Sequence, residues 1–550
     1  MTAPNLSERV AKILVDLTLD EKAALAAGVD LWHGPGVPRL GIPALKVTDG
    51  PSGARGEQWS GRPSANMPCG TALGATWNTA LVRAVGKRLG VEARRKGAHA
   101  LLAPTVNNHR HPLAGRNFEC YSEDPHLSAR LAVAYITGVQ SEGVGCTVKH
   151  FVANDSEFER MTISSEIDDR TLREISLPPF EAAVIEADTW AIMTAYNRVN
   201  GTYCSEHPEL IALLRDEWGF DGVIMSDWYG THSTVAAARA GLDLEMPGPP
   251  AYFAAKLADA VRAGEVSEAI VDDQAGRVLT LIERTGRLDE AEAPEEQCID
   301  DPADRAVARQ AAVESFVLLH NRGGVLPVID VHTVAVIGPN AARAEIQGGG
   351  SARVESHPPV SPLDGLRARA FDIVYERGCD SFKTTPALDS IVLDGPLRVE
   401  YFEGRERAGD PVYAHDAGRG YFTFIGPVGH GVPEEFSLGA RGTIVAPESG
   451  EWTFSLVQVG RARLAIDGEV LVDNWNPTGR SDAFMGFGSA EALGTVELQA
   501  GDSHTIEVEF VPPGGLGGFQ IGCRPPAPPD LLERAVAAAQ RADVVVCVVG

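Results

Sequence analysis

The sequence predicts an α/β chain. A (β/α)8 barrel comes first, then an α/β sandwich domain that is interrupted by an inserted β-sandwich and ends short at the C-terminus. Three observations predict this. Through the first half, apolar runs that end in a polar residue alternate with helical stretches. Near Leu397 short alternating strands take over. Near Pro525 the α/β pattern returns.

The apolar runs are ALKVTDG, HALLAPTVNN, GCTVKH, WAIMTAYN, GVIMSDW and GLDLEMPG. Unbroken apolar runs suit parallel strands buried on both faces. Stretches such as LSARLAVAYITGVQSEG and HPELIALLRDEWG lie between them at helical spacing. Strand-helix alternation over roughly 250 residues is what a (β/α)8 barrel needs, so residues 1–290 are assigned to one. The acidic, Pro-containing stretch around 291–305 reads as a linker. Residues 306–392 begin a second α/β domain, with TVAVIGPNA as a strand before the Gly-rich loop QGGGSA. Residues 393–525 carry LRVEYFEG, WTFSLVQVG, RLAIDGEVLVDNW and HTIEVEF, short alternating strands with Asp467-Gly468 as a hairpin signal. They form the inserted sandwich, and 526–550 resume the α/β domain. DVVVCVVG is too apolar for an exposed edge strand, so this domain is expected to be incomplete at Gly550. DNWNPTGRSDAFMGFG places Trp475, Phe484 and Phe487 where they stack on an apolar ligand or pack the sandwich's own core.

A net charge of -27 repels phosphates and anionic lipid heads, so neither nucleic acid nor membrane is an expected partner. The N-terminal stretch has helical spacing rather than a signal-peptide core. The eight cysteines form no C-x-x-C pair and read as reduced thiols. A cytoplasmic protein fits these features, and a homo-oligomer is compatible with them. No metal or organic cofactor is expected, since no Cys/His metal spacing is present.

In a barrel, catalytic groups come from the C-terminal ends of strands. Here those ends carry Asp49, Asn107, Lys149, His150, Asn197 and Asp227. Asp227 in GVIMSDWYG is followed by Trp228. A sugar-cleaving site needs a carboxylate beneath the anomeric carbon and a flat apolar wall, and this pair supplies both. Asp227 as a helix cap is an equal reading of the tripeptide alone. Lys149 and His150 leave one strand end together and can grip hydroxyls. They also read as a salt-bridged Lys with a core His, or as a Schiff-base lysine. Arg116 lies in the long polar loop AGRNFECYSEDP, and long irregular segments tend to be functional. Asp49 begins the Pro/Gly turn of VTDGPSGARG. QGGGS is too short for a dinucleotide or P-loop fingerprint.

Taken together, KVTDGPSGARG, GRNFECYSEDP, KHFVANDSEFER, MTAYNRVNG, GVIMSDWYG and QGGGSA resemble glycoside hydrolase family 3 over nearly the whole chain. The insert resembles a protective-antigen-type sandwich. The resemblance implies a retaining, exo-acting β-glucosidase that releases terminal non-reducing β-D-glucosyl residues from a small-molecule β-glucoside. A β-xylosidase or other family specificity, and a non-catalytic carbohydrate-binding protein, are the alternatives. It makes Asp227 the nucleophile that forms a covalent glycosyl-enzyme. It makes Asp49, Arg55, Arg116, Lys149, His150, Arg160 and Tyr196 the grip on the reacting sugar, with Trp228 as the ring-facing aromatic and Met193 as an apolar neighbour. Ser351 is expected to reach the site from the second domain. The β-glucosidase branch of the family places its general acid/base, a Glu, in a later loop, so that residue is expected beyond Gly550. A branch with a His–Asp acid/base pair is disfavoured because FVANDSEFER offers no second His.

Overall fold

The structure, a computed structural model, describes residues 4–57, 63–290, 294–389, 392–425, 428, 431–481, 483–514 and 516–550. The chain forms two compact units. The first contains residues 1–320 and 346–358, and the second contains 321–345 and 359–550.

The first unit is built on five parallel strands: β1 (Val47–Asp49), β2 (Ala100–Leu102), β3 (Gly145–Phe151), β4 (Ala191–Thr194) and β5 (Val223–Ser226), paired in that order. Strand alternation sorts their residues between two cores. Val47, Ala100, Leu102, Ala191, Met193, Val223 and Met225 share the inner core with Trp32. Leu101, Cys146, Val148, Ile192 and Ile224 face the helices. Two-sided burial is why these strands read as continuous apolar runs.

Helices α1 (Thr79–Arg95), α2 (Pro125–Gln140) and α3 (Pro178–Ile185) pack outside the sheet. The first two start on side-chain caps from Asn78 and Asp124. They approach so closely that a Cβ on Gly86 would sit 2.3 Å from the Tyr135 carbonyl oxygen. α4 (Glu268–Arg284) packs on the N-terminal helical segments.

Eight strands are expected from the sequence, and five are regular among the described residues. Beyond them the sheet continues through isolated bridges, Met225 to Leu244, Ala27 to Glu245 and His33 to Lys46. GLDLEMPG pairs only through these bridges, with the Ser226 N–H donating to the Leu244 carbonyl and the Glu245 N–H to the Ala26 carbonyl at 2.9 Å each. Its Asp243 and Glu245 are buried and also turn their carboxylates onto backbone N–H groups of Ile224 and of residues 251–253. β2 is short because Pro104 follows it and offers no N–H.

α5 (Pro302–Glu314) falls in the stretch that reads as linker and start of the second domain. It packs in the first unit, with Ala311 in the core and Asp301 and Asp304 ion-paired to Arg88 and Arg95.

In the second unit, β6 (Thr333–Ile337) lies between β7 (Asp372–Glu376) and a strand from the end of the chain, Val544–Cys547, in a parallel sheet. Between β7 and that return, the chain builds ten antiparallel strands. They are β8 (Leu397–Glu403), β9 (Tyr413–Ala417), β10 (Tyr421–Ile425), β11 (Phe436–Val445), β12 (Gly450–Val459), β13 (Arg461–Ile466), β14 (Glu469–Asn474), β15 (Ala492–Leu498), β16 (Ser503–Val511) and β17 (Leu516–Arg524). One sheet runs β9-β8-β11-β16-β13-β14 and the other β10-β17-β12-β15. Leu397, Trp452, Phe454, Phe510 and Phe519 fill the shared core. Asp467 and Gly468 both take positive φ, 51° and 84°, as the tight β13–β14 hairpin requires. Phe484 is buried and stacks on Tyr421 at 5.3 Å, a core role, while Phe487 is exposed. α6 (Leu531–Arg541) leads back to the α/β sheet. No described helix is long and apolar enough to cross a membrane.

Candidate active site

The parity that fills the inner core also aims the polar strand ends. Counting by two from Val47, Met225 and Thr147 brings Asp49, Asp227 and Lys149 to the same inner face, above Leu102, Met193 and Met225. The resulting cluster is buried. Asp49 is 5%, Lys149 2%, His150 2% and Asp227 8% exposed. Burying that many ionisable groups is costly unless each is paired.

The pairing is explicit. Lys149 Nζ lies 2.7 Å from Asp49 Oδ1, which also accepts the Gly50 N–H at 2.9 Å. Asp227 Oδ1 accepts the Trp228 N–H at 2.7 Å, and Oδ2 lies 3.4 Å from His150 Nε2. The Arg160 guanidinium lies 4.8 Å from the centre of the Tyr196 ring. Arg116 donates twice to Glu119, at 2.8 Å each, and approaches His150 Nε2 at 3.4 Å. Glu157 binds Arg160 at 2.5 Å and faces Arg116 at 3.7 Å.

Charge follows from this geometry. Burial pushes the Asp227 carboxyl above its ordinary range, and Arg116, Lys149 and Arg160 pull against it. Burial, and then the same three cations, hold the His150 imidazole well below its ordinary range, so it is neutral near pH 7. Burial and the Asp227 charge raise the Tyr196 phenol, which stays a hydrogen-bond donor. The Lys149 ammonium is engaged by Asp49, an ion pair rather than a presented nucleophile.

Of the residues singled out from sequence, Asp49, Arg116, Lys149, His150, Arg160, Tyr196 and Asp227 meet in this cluster. Trp228 is half-buried at its side, with Nε1 donating to the Leu31 carbonyl and its ring tilted on Trp32 at 5.6 Å. Met193 is 1% exposed and forms the floor beneath Asp227 rather than a wall.

Arg55 and Ser351 join each other. The Arg55 guanidinium donates to the Ser351 carbonyl and, at 2.5 Å, to that of Arg353, while the Arg55 N–H binds the Asp49 carbonyl. Ser351 lies in a segment, residues 346–358, that is flanked in sequence on both sides by residues of the second unit. Residues 346–358 pack with the first unit, where Asn66 reaches the Ile346 carbonyl and Ser64 bridges Ser356. Gln347 closes this loop on Val354, and Gly348 lies against the Phe118 ring, where a Cβ would come within 2.5 Å.

From sequence, Glu119 and Glu157 read as carboxylates too close to cations to hold a proton, and they are the counter-ions of Arg116 and Arg160, while Trp32 is not singled out. The carboxylates stand within three residues of Arg116 and Arg160, so short-range charge pairing was the available signal. Trp32 had none.

The chain matches the Glycosyl hydrolase family 3 N terminal domain over residues 36–281 and the PA14 domain over residues 399–518. It is 46% identical over 553 residues to a beta-glucosidase of Rhizobium radiobacter, covering 98% of this chain and 67% of that one. It is 39% identical over 581 residues to a probable beta-glucosidase J of Aspergillus fumigatus, with the same two coverages. Among solved structures, it superposes with TM-score 0.91 and 34% identity on a beta-glucosidase of Kluyveromyces marxianus in complex with glucose, over 98% of this chain and 68% of that one.

Proposed function

From the premise that the chain belongs to glycosyl hydrolase family 3 and carries a PA14 domain, we propose that it is a retaining β-glucosidase whose nucleophile is Asp227. The observation that carries this reading is the Asp227 carboxylate at the strand-end mouth of the inner core, ringed by Arg116, Lys149 and His150.

In this reading the terminal glucosyl residue of a β-glucoside lies over Asp227. Asp227 Oδ2, with Oδ1 held by the Trp228 N–H, attacks the anomeric carbon as the glycosidic bond breaks, giving a glycosyl-enzyme, and the leaving oxygen keeps the bonding electrons, takes a proton from a general acid other than Glu119 or Glu157 and departs as the alcohol. Water then releases glucose with retention. The three cations keep the carboxylate ionised against its burial, so that it acts as a nucleophile near neutral pH. Asp49, Lys149, His150, Arg116 and Arg160 hold the hydroxyls through contacts that strengthen as the ring flattens, and so contribute to rate. Glu119 and Glu157, committed to guanidinium groups, orient Arg116 and Arg160 rather than protonating the leaving oxygen.

The test removes the carboxylate and uses a dinitrophenyl β-glucoside, whose leaving group departs without protonation. Asp227→Gly is expected to lower kcat by on the order of 10⁴–10⁶ with the fold intact. Added azide is expected to restore turnover and yield the α-glucosyl azide. Near-normal turnover in the variant, or a β-configured azide product, would remove Asp227 from the role.

A further inference from the structure

The parallel pairing between β3 and the segment after β2 changes character at one residue. The Lys149 N–H donates to the Pro104 carbonyl at 3.0 Å, and the Val106 N–H donates to the Lys149 carbonyl at 2.8 Å, which is ordinary backbone pairing. At His150 the partner is a side chain. The His150 N–H donates to Asn107 Oδ1 at 2.9 Å, and Asn107 Nδ2 donates to the His150 carbonyl at 3.0 Å. The Asn107 amide stands in for a backbone peptide with both its donor and its acceptor in use. Asn107 is 4% exposed, so these are dry contacts.

The pair of contacts also fixes which end of the amide is oxygen, because Nδ2 must face the carbonyl. The same Oδ1 lies 3.3 Å from His150 Nδ1. An amide oxygen has no proton to give, so this contact is a hydrogen bond only when Nδ1 carries the imidazole proton. Nε2 is then a lone pair, 3.4 Å from Arg116 Nη1 and 3.4 Å from Asp227 Oδ2.

We propose that Asn107 is a positioning residue of the hydrolytic site, holding His150 in the Nδ1–H tautomer so that Nε2 faces the sugar as an acceptor beside Asp227. The inference rests on the glycosidase reading above. Nε2 and Asp227 Oδ2 are then two acceptors 3.4 Å apart with Arg116 Nη1 beside Nε2, and a sugar hydroxyl is a further donor that relieves their repulsion. The charged groups that bear on this ring are Arg116, Lys149, Arg160 and Asp227. An amide suits the position because it is neutral and bifunctional. A carboxylate would keep the acceptor, lose the donor to the His150 carbonyl and place a negative charge beside Nδ1.

Full-length protein carrying ¹⁵N-labelled histidine tests this, with the His150 ring assigned as the signals missing from His150→Gln. In the unsubstituted protein, His150 is expected to show the neutral Nδ1–H pattern between about pH 5 and 8. In Asn107→Asp the ring is expected to become an imidazolium over that range. Its kcat/KM on a nitrophenyl β-glucoside is expected to fall roughly 10- to 100-fold, mostly in kcat. Asn107→Ala is expected to lose comparable activity with the ring still neutral but no longer held as one tautomer. An Nε2–H tautomer in the unsubstituted protein overturns the proposal. So does Asn107→Asp with unchanged ring signals or unchanged kcat/KM. Absence of any β-glucoside hydrolysis by the unsubstituted protein sinks the functional reading instead, and the tautomer is still read without turnover.

Discussion

Among the described residues, the first unit buries charge and the inserted sandwich does not. Lys46, Asp49, Glu92, Lys96, Glu119, Lys149, Arg215, Asp227, Asp243 and Arg277 are all among the buried residues of the first unit. Among the described residues of the sandwich the buried polar groups are neutral: Ser437, Thr453, Ser455, Gln458, Asn474 and Ser489. The sandwich wears its ions outside, as in Arg398–Asp416 and Arg463–Asp473. Both units have well-filled apolar cores, so stability alone does not demand buried ions. Charge inside the first unit is tied to a task. Around Asp227 it opposes the effect of burial on the carboxyl. Around Asp243 it supplies hydrogen bonds to backbone groups at Phe220, Gly222 and Ile224.

The largest effect that would sharpen this contrast is expected at Arg215. It is 1% exposed, ion-paired with Asp243, and donates to the Phe220 and Gly222 carbonyls at 2.8 and 2.7 Å. Asp243, fully buried, accepts the Ile224 N–H at 2.7 Å and Arg277 at 3.0 Å. Burial brings the Arg215 guanidinium down to about 10, a sign of how far it is desolvated. Arg215→Met would leave Asp243 with one cation and two carbonyls without a donor. A loss of about 3–5 kcal/mol is expected from breaking a buried pair, measured by urea unfolding of the full chain. A loss below about 1 kcal/mol would mean that this buried charge is no more important than a surface one.

How far the sequence disclosed these arrangements depends on the range of the interaction. Five of the six apolar runs are strands, because two-sided burial leaves an unbroken local signature. Asp49, Lys149, His150 and Asp227 were legible because a polar residue at the end of an apolar run is also local. GLDLEMPG holds in part: Leu244 and Glu245 bridge their neighbours, while Asp243 and Glu245 spend their carboxylates on backbone N–H groups. The Asn107 clamp on His150 spans 43 positions, and the packing of Ser351 with Arg55 spans 296. Contacts that distant leave no periodicity in either partner. The same holds for α5, whose helix is plain in the sequence while the unit it joins is not.

A second test, of intermediate size, concerns a buried histidine. His99 is 1% exposed, and its Nδ1 accepts the Lys46 N–H at 3.0 Å. Burial, reinforced by Arg287, lowers its pKa to about 3. Between that value and an unfolded value near 6.5, the unfolded chain holds a proton that the folded chain does not. Stability therefore falls as pH drops from about 6.5 toward 3, by at most about 1.4 kcal/mol per pH unit from this residue. His99→Asn keeps an acceptor for Lys46 and cannot titrate, so the acid limb of stability against pH should flatten. An acid limb as steep in His99→Asn as in the unsubstituted protein would mean that burial of this ring does not set the pH dependence of stability.

The smallest effect is expected where the contrast predicts almost nothing. Arg398 and Asp416 stand directly opposite in the β8–β9 ladder, with Nη1 and Oδ1 3.2 Å apart. Their side chains are 54% and 59% exposed, so water competes for both ions. Cross-strand register brings the charges together without ordering them further, since each long side chain must still lose rotamer freedom to meet the other. A double-mutant cycle of Arg398→Gln and Asp416→Asn should give a coupling of about 0.2–1 kcal/mol at low salt. In about 1 M salt the screening length is close to the separation of the pair, so the coupling should shrink toward zero. Desolvation would change both results. A coupling well above 1 kcal/mol that persists in high salt would show that this pair is shielded from solvent, and that the sandwich, like the first unit, holds ions where water does not reach them.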